Sequence, residues 1–179
     1  MTNKIFDLAP LTLCFILLTH PFISAQDKSV GKKEIERPAK CDVKNIDEFV
    51  SKTFDSYDVS SNITEDIKLI KIEGDGKTTP VRIKNCKGEE LGKDAALLQF
   101  TSLMERATQQ SENIRTLQNL QKLAQESLKK CSMNQKEKAS KSIEKVGEAL
   151  NEMIKQTKTQ FEVIQKQISY VKTFKGSIY

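Results

Sequence analysis

The chain has 179 residues, 30% of them charged and only 6% aromatic, with no tryptophan and a net charge of +5. That length suits one domain core, and so charged a composition excludes a bundle of membrane spans. The one histidine, His20, falls within residues 1–25, which have the layout of a removable leader; a Ser-His-Asp triad, a Cys-His nucleophile and a histidine-bearing zinc site are then excluded, because each needs an imidazole.

The leader shows in Lys4, the apolar run "LAPLTLCFILL" and the small residues that close "THPFISAQ". This is a secretory signal pattern with cleavage after Ala25, so the mature protein is expected to be secreted or periplasmic. The apolar run is shorter than the ~20 residues that span a bilayer, and Leu13 before Cys14 is too large for a lipoprotein signal. Residues 26–40, "QDKSVGKKEIERPAK", are charged and poor in apolar residues, and they read as a flexible leader.

Residues 41–92 read as a small unit made of a short helix and a β-hairpin. Asn45 with Glu48 three residues on resembles a capping arrangement, and Ile46, Phe49, Val50, Phe54 and Tyr57 recur at helical spacing. "VSSNIT" reads as a loop, and it contains the sequon Asn62-Ile63-Thr64. Alternation over residues 67–72, and again through Val81, Ile83 and Asn85, predicts two strands around Gly74-Asp75-Gly76. Gly76-Lys77-Thr78 has the ending of a phosphate loop, but Lys71 stands where that loop needs glycine and Pro80 biases Thr79 toward an extended conformation. No nucleotide is expected there.

From Lys93 to Lys130 there is neither glycine nor proline, and Leu97, Phe100, Met104, Ala107, Ser111, Ile114, Leu117, Gln121, Ala124 and Leu128 step by threes and fours. A second helix, capped by Ser132 or Asn134, carries Ala139, Ile143, Val146, Leu150, Ile154, Thr157, Phe161, Ile164, Ile168 and Val171. The fold class is therefore mainly α: a long antiparallel helical hairpin over residues 93–174, coiled-coil-like, with the small unit at its base and a tail at 175–179. A turn near Ser132 sets residue i opposite about residue 264 minus i. Leu103 beside Met104, Leu123 beside Ala124 and Met153 beside Ile154 widen the apolar seam beyond what one partner helix covers, which predicts self-association.

Outside the leader there are three cysteines, Cys41, Cys86 and Cys131. With Cys131 at the hairpin tip and the small unit at its base, a disulfide between Cys41 and Cys86 is expected, leaving Cys131 exposed at the tip as a free thiol or bonded to another chain. Residues 129–179 hold eleven basic and five acidic side chains. Lys129, Lys130, Lys138, Lys141 and Lys145 gather near the tip, where they read first as a solvated face and second as a contact for an anionic envelope surface. Aromatics and arginines are not interleaved among them, so nucleic acid is not expected.

No motif points to catalysis, a cofactor or a metal. The expected function is that of a non-enzymatic, exported interaction protein, an envelope scaffold or adaptor that meets a protein partner or itself through coiled-coil surfaces. The alternatives are a periplasmic holdase-type chaperone with basic helical arms and a carboxylate-dependent hydrolase.

Overall fold

A computed structural model of the chain describes residues 35–74 and 79–174. The expected signal segment, most of the expected leader, Gly76-Lys77-Thr78 and the tail lie outside the described residues. Three helices, α1 (Lys44–Leu69), α2 (Lys93–Lys129) and α3 (Met133–Thr173), pack against one another, and β1 (Lys71–Glu73) pairs with β2 (Arg82–Lys84) between the first two.

The helical hairpin is formed as the periodicity predicts. Lys130, Cys131 and Ser132 join α2 to α3, and the Ser132 carbonyl accepts from the backbone N–H groups of Gln135 and Lys136 as α3 begins. Contacts across the hairpin keep the expected register. The Gln110 side-chain amide lies 2.7 Å from Met153 Sδ, and Lys93 Nζ reaches the carbonyls of Lys172 and Phe174 at 3.3 Å. These pairs sum close to 264.

α1 is the main departure from the sequence reading. It runs to Leu69 rather than ending near Tyr57, so "VSSNIT" is helical and Ile67 and Leu69 belong to a helix rather than a strand. Its buried residues, Ile46, Phe49, Val50, Thr53, Phe54, Tyr57, Ser60 and Ile63, form one continuous stripe. Serine and asparagine are mediocre helix formers, but packing of that stripe against two long helices outweighs propensity.

α1 does not sit at the hairpin base. Hydrogen bonds from Asn45 to Ser127 (2.8 Å) and from Arg106 to Asp66 (2.7 Å) lay α1 antiparallel to α2, from the tip toward the base. The core accordingly has two parts. Near the tip, Ile46, Phe49, Val50 and Phe54 meet Ile114, Leu117, Ala124, Val146 and Leu150. Toward the base, Phe100, Leu103, Ala107, Ile164 and Val171 join Ile83 of β2, with Ile67, Ile70 and Ile72 packed against them. α1 therefore covers much of the widened seam. Leu103 and Met153 are buried in the monomer, while Leu123 and Ile154 stay partly exposed.

The segment before α1 is also packed. Ile35 rests against the tip-side core, and Arg37 pairs with Asp55 at 2.6 Å and stands over the Phe54 ring. Residues 35–40, read as the end of a flexible leader, lie along α1. In the β-hairpin the pairing is Lys71 with Lys84, Ile72 with Ile83 and Glu73 with Arg82. The chain leaves β1 through Gly74 at φ +92, and the segment after Pro80 forms β2, not a helix.

Two glycine substitutions test this architecture. A Cβ at Gly147 would meet nothing within 4 Å, so Gly147→Ala should stabilise the fold by about 0.5–1 kcal/mol in urea denaturation. At Gly74 a Cβ would run into the Pro80 carbonyl and the positive φ disfavours any side chain. Gly74→Ala should therefore cost more than about 1 kcal/mol by the same measurement.

Candidate functional site

Two features outside the apolar core could carry function: a buried polar layer at mid-bundle and the basic hairpin tip. The layer is not visible in the sequence pattern, because its members occupy core positions with polar side chains. Gln110 is 1% exposed and Gln160 2% exposed, each at a position where the seam would ordinarily place an aliphatic residue. On α2 the buried series runs Ala107, Gln110, Ile114, so Gln110 rather than Ser111 faces inward. On α3 the buried stripe takes in Ser142, Ala149, Met153, Gln156 and Gln160, while Ile154 turns outward.

Each glutamine holds a turn of α1. The Gln110 amide donates to the Ser56 carbonyl at 2.8 Å and to Ser56 Oγ at 3.1 Å. The Gln160 amide donates to the Ser60 carbonyl and to Thr64 Oγ1, both at 2.8 Å. Ser56 and Ser60 are one turn apart on the same face, so the two arms of the hairpin grip successive turns of a third helix. Beside them a groove of about 290 Å³ opens between α1 and α3, lined by Ile67, Gln156, Gln160 and Val163 among others. The layer is not fully satisfied. Thr53 Oγ1, Gln156 Oε1, Thr157 Oγ1 and Gln160 Oε1 are buried without a hydrogen-bond partner.

The five lysines singled out from the sequence lie at the end of α2, in the connector and along the first turns of α3, and their environments differ. Lys141 pairs with Glu137 at 2.7 Å, and this contact holds the Glu137 carboxyl below and the Lys141 ammonium above their ordinary pKa values. Lys145 lies 4.0 Å from Glu36 of the segment before α1. Lys129 closes the last turn of α2, where a cation complements the negative pole of the helix. Lys130 and Lys138 have no carboxylate within 4 Å among the described residues. The first turn of α3 contains no acidic residue, and Met133 stands there 86% exposed. Lysines beside the positive pole of α3 make this end of the molecule locally cationic.

Cys131 lies at the tip and Cys86 toward the base, as the sequence reading put them, but Cys41 does not lie at the base. All three carry free thiols. Cys41 is buried in the tip-side core, and Cys86 is exposed near Leu69, Ile70 and Arg106 toward the base. α1 separates them by about 39 Å, far beyond disulfide reach, so the expected Cys41–Cys86 bond is not formed. The expectation assumed a short first helix confined to the base, whereas α1 starts at the tip. Asn62 is exposed on α1 rather than in a loop.

Among the described residues no cluster of three or more metal-ligating side chains occurs, and no helix is long and apolar enough to cross a membrane. No protein-family model, no curated protein and no solved structure matches the chain.

The polar layer makes two opposed predictions. Thr53→Val replaces an unsatisfied buried hydroxyl by a methyl of similar size and should raise stability by about 1 kcal/mol. Gln160→Ala removes the donors to Ser60 and Thr64 and leaves a void, and should cost about 2–3 kcal/mol. Both are read from urea midpoints at unchanged slope.

Proposed function

We propose that the chain is a non-enzymatic, exported interaction protein of the cell envelope, an adaptor that presents the tip of its helical hairpin to an anionic surface. One observation carries this reading. The tip places six lysines and two glutamates within residues 129–145, at the acid-free N-terminal pole of a 41-residue helix. Like charges at a positive pole repel one another, and an anionic partner relieves that repulsion.

The rest of the architecture supports the same division of labour. α1 fills much of the seam along the shaft, which removes the main reason to expect self-association there and directs contact to the end. The tip connector is short, and helices support it on both sides, so its lysines are held as a set. Exposed Met133 adds an apolar contact at the centre of the cationic end. Export follows from the signal pattern in residues 1–25.

Co-sedimentation of the chain with phospholipid vesicles tests the reading. Binding to vesicles rich in anionic phospholipid should exceed binding to neutral ones, and it should weaken as salt rises from about 50 to about 300 mM and the Debye length shortens. Lys130→Glu with Lys138→Glu should reduce it at least about tenfold, since each lysine near such a surface contributes about 1 kcal/mol. Circular dichroism should show unchanged helix content. Equal binding by the reversed-charge variant would remove the tip from consideration.

A further inference from the structure

We propose that Cys41 and Cys131 are disulfide partners, and that their bond fastens the segment before α1 to the tip of the hairpin. The register of α1 on α2 points to this pair. Asn45 with Ser127, Ser56 with Gln110 and Asp66 with Arg106 are all joined by side-chain hydrogen bonds. In each pair the residue numbers sum to between 166 and 172. Both helices end within a turn of the Asn45–Ser127 contact, α1 beginning at Lys44 and α2 ending at Lys129, so residues 41 and 131 leave the bundle at the same end.

Packing agrees with the register. Cys41 is 2% exposed within the tip-side core, and Cys131 is half-buried against that same cluster, together with Val43 and Leu128. Cys41 is held there by its backbone N–H, which donates to Asp47 Oδ1 at 2.8 Å. The Cys131 thiol donates to the Ser127 carbonyl at 3.3 Å, next to the residue that Asn45 contacts. Rotation of the Cys131 side chain away from that carbonyl is the adjustment the bond asks for. Cys86, exposed toward the base, is excluded from pairing with either by distance.

The chemistry is thiol–disulfide exchange with a small disulfide such as oxidised glutathione. Cys131, the more accessible thiol, loses its proton and attacks the oxidant, releasing one glutathione and forming a mixed disulfide. Cys41 then gives up its proton and attacks Cys131 Sγ, and the second glutathione leaves. Two thiols are oxidised and one glutathione disulfide is reduced. Burial pushes the Cys41 thiol up, with the Asp47 carboxylate adding to the effect; this makes Cys41 the resolving rather than the attacking residue. The occurrence of the bond in the cell rests on export to an oxidising compartment, but its formation in a redox buffer does not.

The test is peptide mapping of the full chain after equilibration in oxidised and reduced glutathione, alkylation of free thiols and digestion without reductant. The expected product joins the Cys41 and Cys131 peptides and leaves Cys86 alkylated. Cys86→Ser should retain the cross-link, and Cys131→Ser, a change at the solvent-facing turn, should leave Cys41 reduced. Closing a loop of about 90 residues should raise Tm by roughly 10 °C relative to the reduced protein. A bond from Cys41 to Cys86, or Cys41 and Cys131 both alkylated in every oxidising buffer, would overturn the proposal. Vesicle binding is read separately, so loss of the cross-link and loss of tip contact are distinguishable outcomes.

Discussion

The structure depends on two glutamine side chains that hold α1 by its backbone. Gln110 from α2 and Gln160 from α3 donate to the carbonyls of Ser56 and Ser60, so that α1 cannot slide by a turn without abandoning both. Apolar contacts alone would fix this poorly, because a stripe that repeats every three or four residues packs almost as well one turn up or down. A buried amide is different: displaced, it loses its acceptors and keeps the cost of being buried. The four unsatisfied oxygens in the layer show that this specificity is not free, as with other polar residues that set register in helical assemblies.

Fixing α1 in that register explains how a hairpin with a broad apolar seam is completed within one chain. The tip-side and base-side clusters are separate apolar bodies with the polar layer between them, and α1 contributes to both. The surface ion pairs contribute little by comparison. Arg106 with Asp66 and Arg37 with Asp55 are short, but their side chains are roughly half exposed, and pairs so solvated contribute at most about 1 kcal/mol each. The large apolar side chains left outside the core are scattered, with Leu98, Leu123 and Ile154 on the hairpin and Val59 and Leu69 on α1.

The hairpin was legible in the sequence because its evidence is redundant. Some forty residues without glycine or proline, two apolar stripes and one short connector set Phe100 and Ile164 at the same level, and both lie in the base-side core. α1 was only half legible. Its apolar series is interrupted by Ser56, Ser60 and Thr64, and the last two read as loop residues because nothing local says that they are the contact points of a glutamine roughly 100 positions away. For the same reason the stripes drawn from apolar residues pass over Gln110 and Gln160. The error on the cysteines followed from the error on α1: a short helix at the base puts Cys41 near Cys86, whereas a long helix running from the tip puts it in the tip-side core, against which Cys131 also packs. The lysines could be singled out together because they lie on one continuous stretch of chain.

The register of α1 also decides what the tip looks like from outside. Because α1 begins there, the segment before it crosses the tip-side core and brings Glu36 to Lys145 and Arg37 to Asp55. One lysine at the edge of the cationic face is thus answered by a carboxylate from a neighbouring segment, and Lys141 is answered within its own helix. Lys130 and Lys138, nearer the connector, are answered by neither among the described residues. A covalent link at residue 131 would anchor that segment beside the lysines and keep Glu36 at the edge of the face rather than over its centre. The register of α1 therefore sets both which thiols share the tip-side core and which lysines meet a neighbouring carboxylate, and it follows from where two glutamines hold one helix.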